Sequence, residues 1–193
     1  MRPSRRRSTW LRTLLLAALG ALALGFPTSA LAVTIGSDLK PAPTPNSGFG
    51  CGTFGTCMIL QRAIPGNPHP MKSPIDGIVR RWRYRKGVDD HSYEVRLRVV
   101  RRGAHGKWRV VDQSDPEEIP QPAGTYRFHT HLRILEGQFI AMKLEGDVHL
   151  ISASHPGARY LEWYPAPPLD TALAPDYHNS DVEFLWNATV RRR

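Results

Sequence analysis

The stretch 76-DGIVRRWRYR-85, followed after a short polar break by 91-HSYEVRLRVVRR-102, decides the fold class of this chain. Both runs alternate with a period of two. In the first, Ile78, Trp82 and Tyr84 fall on one side, and Val79, Arg81, Arg83 and Arg85 on the other. In the second, Tyr93, Val95, Leu97 and Val99 face one way, and Glu94, Arg96, Arg98 and Val100 the other. Successive side chains of a strand point to opposite faces, so the pattern predicts two half-buried strands with a cationic outer face. Closed as a hairpin around 86–91, they would set Trp82 opposite Val95, Arg83 opposite Glu94 and Ile78 opposite Val99, with apolar parities matched. Arg80 breaks the pattern by sharing a face with Trp82. It is either a rim residue with a packed alkyl stem or an inward charge that discourages edge pairing.

The same alternation returns over 125–135, where Tyr126, Phe128, Thr130, Leu132 and Ile134 take one face and Arg127, His129, His131 and Arg133 the other. Shorter strands are read over 33–35, 57–62, 108–112, 138–144, 148–152 and 181–190, separated by Gly- and Pro-bearing turns. Segment 63–74 carries Pro65, Pro68, Pro70 and Pro74, which excludes a helix or a central strand there. Segment 156–175 reads as a proline-rich stretch holding Tyr160, Trp163 and Tyr164. Helical periodicity is absent after the first 32 residues, and no internal repeat is visible. The expected fold is an all-β antiparallel sandwich, a jelly roll, preceded by a signal-peptide helix.

That leader is read from residues 1–32. Arg2, Arg5, Arg6, Arg7 and Arg12 precede an apolar run over 14–24, and Ala30-Leu31-Ala32 fits a small-residue cleavage site. The run is too short for a permanent membrane anchor. One domain, 33–193, is expected to follow and to be secreted, extracellular or attached to the cell wall. The formal net charge of +9 falls to +4 without the five leader arginines, so nucleic acid is not expected as a partner.

Cys51 and Cys57 are the only cysteines. In an exported chain an even count at short spacing predicts a disulfide, here pinning the glycine-bearing loop between them. Two cysteines alone make a weak zinc site.

Three constellations compete with plain structural readings. His129 and His131 share a strand face, so both imidazoles could reach one metal, with His149 or Asp147 as a third ligand; against this, the flanking Arg127 and Arg133 disfavour a cation. Arg81, Arg83, Arg85, Arg96 and Arg98 would gather on the outer side of the hairpin and suit an acidic glycan, unless they are only a solvated face. Tyr160, Trp163 and Tyr164 could stack on sugar rings or cap one end of the core. No nucleophile elbow and no His-Glu-x-x-His helix occurs, so catalysis is not expected. No cofactor is implied, and a role for calcium has no support in the residues.

The order of segments is similar to a set of exported, uncharacterised β-sandwich proteins of high-GC Gram-positive bacteria. The residues that carry the resemblance are the Cys51/Cys57 pair, the run from Ser73 to Val79 leading to Arg81-Trp82-Arg83, Leu97-Arg98-Val99, Ile119-Pro120, Gly124 to Phe128, and the closing Leu185 to Val190. Arg80 departs from that pattern, where a smaller or apolar residue would fit. The resemblance implies a secreted jelly-roll-like sandwich and brings no activity. The expected role is a non-catalytic binding module for carbohydrate or an acidic cell-surface glycan. A structural or assembly protein of the cell envelope, and a glycan-acting hydrolase or lyase, are the alternatives.

Overall fold

Alternating apolar residues build twelve strands and one short 3-10 turn (Gly52–Phe54) among the residues that the computed structural model describes, 32–44, 50–88, 92–146 and 152–193. The strands are β1 (Ala32–Gly36), β2 (Thr56–Ala63), β3 (Gly77–Lys86), β4 (Tyr93–Arg102), β5 (Trp108–Gln113), β6 (Glu117–Ile119), β7 (Gly124–Ile134), β8 (Phe139–Glu145), β9 (Ser152–Trp163), β10 (Ala172–Leu173), β11 (Tyr177–Phe184) and β12 (Trp186–Arg191). The expected leader, apart from Ala32, lies outside the described residues. No described helix is long and apolar enough to cross a membrane.

Two antiparallel sheets face each other. The smaller runs β1-β12-β3-β7, and the larger runs β10-β5-β4-β8-β2-β9-β11 with β6 paired to β4. The pairs β1·β12, β2·β8, β3·β7 and β4·β5 are nested in sequence, each inside the one before. That nesting is the winding of a jelly roll. Strands β9, β10 and β11 enter between β8 and β12 and extend the larger sheet past both β2 and β5.

The hairpin expected from 76–102 does not form. Strand β3 pairs with β12 and β7, while β4 pairs with β8, β5 and β6 in the other sheet. Strand β4, and β3 from Arg81 onward, have the face polarity their alternation predicts, with Trp82 and Tyr84 from one and Tyr93, Val95, Leu97 and Val99 from the other buried in a shared core. Period-two patterning fixes which face is buried, and two such faces can meet across a sandwich as well as side by side.

Arg80 marks a β-bulge. Between Val79 and Arg81 the register slips against both neighbours: Thr189 and Val190 of β12 span the gap in one step, His129 to Leu132 of β7 in three. The extra residue inverts the parity of the strand's start, as bulges do. Val79 therefore joins the inter-sheet core, and Ile78 is covered on the outer face, the reverse of the alternation read from the sequence.

Two further departures come from the end of the chain. Strand β9 runs through Pro156 although it lies between β2 and β11. Its ladder to β2 begins only at Arg159, and its ladder to β11 is interrupted between Ser154 and Arg159, so the proline faces no missing ladder donor. The single last strand expected over 181–190 divides at Leu185 into β11 of the larger sheet and β12 of the smaller. β1 ends at Gly36, φ 102°, where an added Cβ would lie 2.6 Å from the Trp186 carbonyl oxygen.

The inter-sheet core centres on Trp82, Val95, Leu97, Met142 and Trp186, with the Trp82 and Phe128 rings 4.3 Å apart. A second apolar layer covers the outside of the larger sheet. There Met58, Leu60, Val100, Trp108, Val110, Leu161 and Trp163 pack under the segment that carries Ala166.

Candidate functional site

Strands β3, β7 and β12 present their outward side chains on one surface, the exposed face of the smaller sheet. Arg81, Arg83 and Arg85 come from β3, Arg127, His129, His131 and Arg133 from β7, and Arg191 from β12, with Arg80 added by the bulge. The pairing sets Arg83 directly beside Arg127 and Arg81 beside His129. Burial, then the charges of Arg81 and Arg127, holds the Arg83 guanidinium below its ordinary range.

Structural hydrogen bonds occupy part of this set. Arg83 Nε donates to Asn187 Oδ1 at 3.0 Å, and Arg85 donates to the carbonyls of Leu39 and Lys40 at 2.7 and 3.0 Å. Asn187 is itself buried and donates to the Ser37 carbonyl. Among the described residues no carboxylate lies within ion-pair distance of Arg80, Arg81, Arg83, Arg127, Arg133 or Arg191. Arg81 Nε is buried with no hydrogen-bond partner among the described residues. Between β3, β7 and β12 lies an open recess of about 490 Å³, bordered by Ile78, Arg80, Arg81, His129, Thr130, Thr189 and Arg191. Guanidinium groups at this density, with donors left over, are suited to an anion.

The other two arginines of the expected face lie on the opposite side of the molecule, because β4 belongs to the larger sheet. Arg96 pairs with Glu94 at 3.4 Å and with Glu145 at 3.5 Å, and Lys143 also reaches Glu145. Arg98 is buried. Its guanidinium donates to Gln113 Oε1 at 3.0 Å and to the Pro167 carbonyl at 2.6 Å, anchoring the segment over the second apolar layer. Burial, then Arg96, lowers its pKa to about 10. Arg96 and Arg98 are therefore not part of a continuous cationic face with Arg81 and Arg83.

Arg80 Nη1 lies 2.6 Å from His131 Nδ1. A guanidinium only donates, so Nδ1 accepts and is turned away from metal coordination. His149 and Asp147 lie outside the described residues. Among the described residues no group of three or more His, Cys, Asp or Glu side chains could hold a metal ion.

The aromatic residues separate as well. Tyr160 is buried between the sheets against Phe184, with ring centroids 5.0 Å apart, and Trp163 is buried in the second layer on the opposite face of β9. Tyr164 alone borders the surface. It stands beside the loop closed by the Cys51–Cys57 disulfide, whose two cysteines are buried. There it meets Phe54 and Tyr177, with centroids at 5.6 and 5.9 Å. Below them lies Glu162, 3% exposed, whose neighbour across the ladder is Tyr177.

Phe54, Tyr177 and Glu162 escape the sequence reading because a proline-rich segment masks the strand that aligns them. The spacing of Tyr160, Glu162 and Tyr164 was the available signal, since residues two apart share a strand face. Comparison of the chain with protein-family models, with curated proteins and with solved structures finds no match.

Proposed function

We propose that this protein is a secreted, non-catalytic β-sandwich module that binds an acidic glycan of the cell surface through the exposed face of the smaller sheet. One observation carries the reading: six arginines, Arg80, Arg81, Arg83, Arg127, Arg133 and Arg191, share that face with no carboxylate in ion-pair distance among the described residues. Like charges on paired strands destabilise a sheet, and a polyanion supplies the missing complement. β7 is an edge strand, so the face runs out to an open rim along which an extended chain can lie. Export rests on the leader read from residues 1–32, and the resemblance to exported sandwich proteins of high-GC Gram-positive bacteria accords with it.

Retention on immobilised polygalacturonate and on teichoic acid, compared with a neutral glucan, tests the proposal. Retention on the two acidic polymers should exceed that on glucan and fall steeply between about 50 mM and about 500 mM salt, as the Debye length contracts. Arg81→Gln combined with Arg127→Gln should remove most of it. Equal retention on the neutral glucan, or retention indifferent to salt, would refute electrostatic recognition.

A further inference from the structure

The extension of the larger sheet by β9 and β11 creates a second recess, of about 420 Å³, between those strands and the disulfide loop. Its rim is aromatic. Phe54 and Tyr177 are 59% and 56% exposed, whereas Tyr84, Tyr93, Tyr160 and Phe184 of the inter-sheet core are buried. The three rings do not form a flat platform. Tyr164 is tilted by 48° to Phe54 and stands at 75° to Tyr177, so the walls are inclined to each other as in a cup.

Its floor is Glu162. Oε1 is buried with no hydrogen-bond partner among the described residues. Burial raises the pKa of this carboxyl, opposed by hydrogen bonds from Asn179, Tyr164 and Tyr160. Asp176 lies beside it and accepts the Tyr164 backbone N–H at 2.6 Å. The titratable groups around the recess are thus Glu162 and Tyr160 of β9, Tyr164 just past its end, Asp176, and Tyr177 of β11. Of these, the Glu162 carboxyl lines the recess and is its acidic partner for a cation, on a chain whose opposite face is basic.

We infer that this recess binds an organic ammonium group, held over the carboxyl of Glu162 by the rings of Phe54, Tyr164 and Tyr177. Aromatic faces attract a poorly hydrated cation through the ring quadrupole, and a desolvated carboxylate adds a charge that a neutral guest cannot use. A flat sugar would need a broad ring surface, which the mutual tilt of these rings does not offer. The inference stands apart from glycan binding by the other face, since the two surfaces share no residue.

Choline and its neutral isostere 3,3-dimethyl-1-butanol separate the possibilities when both are titrated by calorimetry into the intact protein. Choline should bind about tenfold more tightly than the isostere, a difference of the size expected for a desolvated cation over aromatic rings. Phe54→Ala combined with Tyr177→Ala, both at exposed positions, should abolish binding with little change in the thermal midpoint. Glu162→Gln should weaken choline and leave the isostere unchanged, and binding of choline should strengthen as Glu162 ionises with rising pH. Equal affinity for the two compounds, or no detectable choline binding, overturns the inference. Polygalacturonate retention by the Phe54→Ala/Tyr177→Ala variant should match the wild type, so failure of one site is not read as failure of the other.

Discussion

The phenol oxygens of Tyr84 and Tyr93 lie 2.9 Å apart, one side chain from each sheet. A flat hairpin between β3 and β4 would have placed these residues side by side. They meet instead across the sandwich, with the rings edge to face at 6.4 Å and Lys86 Nζ 5.0 Å from the Tyr93 centroid. Lys86 is itself buried and donates to the Pro120 carbonyl at 2.9 Å, so this end of the core is closed by a polar lock. Tyr84→Phe should cost about 1 kcal/mol, the net contribution of one intramolecular hydrogen bond. The double replacement with Tyr93→Phe should cost less than the two single changes together, measured by urea denaturation. Strictly additive costs would show that the two hydroxyls do not share one bond.

Much of this architecture was legible in the chain, and the parts that were not have identifiable causes. Alternation marked the buried faces of β4 and β7 correctly because a strand's side-chain period is fixed by its backbone. Partner choice was not encoded at that level: Trp82 is satisfied by Phe128 and Val95 by the opposing sheet, whichever strands carry the hydrogen bonds. The bulge at Arg80 was visible only as a misfit residue. Its effect on Val79 and Ile78 required the neighbouring register. The basic face survives in part because Arg81 and Arg83 stay with β3, whereas Arg96 and Arg98 leave with β4. Proline density around Pro156 hid β9, and with it the floor of the aromatic recess.

Arg83 and Arg127 are register partners on the outer face. Like charges directly opposite destabilise a sheet by about 0.2–1 kcal/mol, the range of cross-strand pair energies. Arg127→Gln should therefore raise the thermal midpoint at low salt, and the gain should shrink as salt screens the repulsion. The same change should weaken retention on an acidic polymer. A variant that is both less stable and less retentive would indicate a structural role for Arg127.

His155 ties the bulged part of β9 to β11. Its Nδ1 lies 2.7 Å from Glu183 Oε2, and its Nε2 lies 2.9 Å from the Pro65 carbonyl. Glu183 is 1% exposed and also accepts the Ser37 hydroxyl at 2.5 Å. Removing the imidazole takes one hydrogen bond from the buried Glu183 carboxyl, at a cost of about 1.5–3 kcal/mol for a bond to a charged group. His155→Ala should show a loss of that order in chemical denaturation. Adding Glu183→Gln to it should recover part of the loss, and a double variant no better than the single one would place the energy elsewhere.

Glu162 gives the larger sheet a pH dependence with a definite sign. In the unfolded chain its carboxyl titrates near the ordinary 4.5, while burial in the fold raises it. Between the two values the folded protein keeps a proton that the unfolded chain has lost. Stability from this residue is therefore fully present below pH 4.5 and is lost as pH rises through the folded value. Glu162→Gln keeps a neutral side chain of the same shape at every pH, so its curve of urea midpoint against pH should be flatter above 4.5. At the upper end of that window the variant should be the more stable protein, which makes any loss of choline binding in it a property of the recess and not of the fold. Parallel curves for variant and wild type would mean that Glu162 ionises as readily inside the fold as outside it, and the desolvated floor of the recess would have to be abandoned.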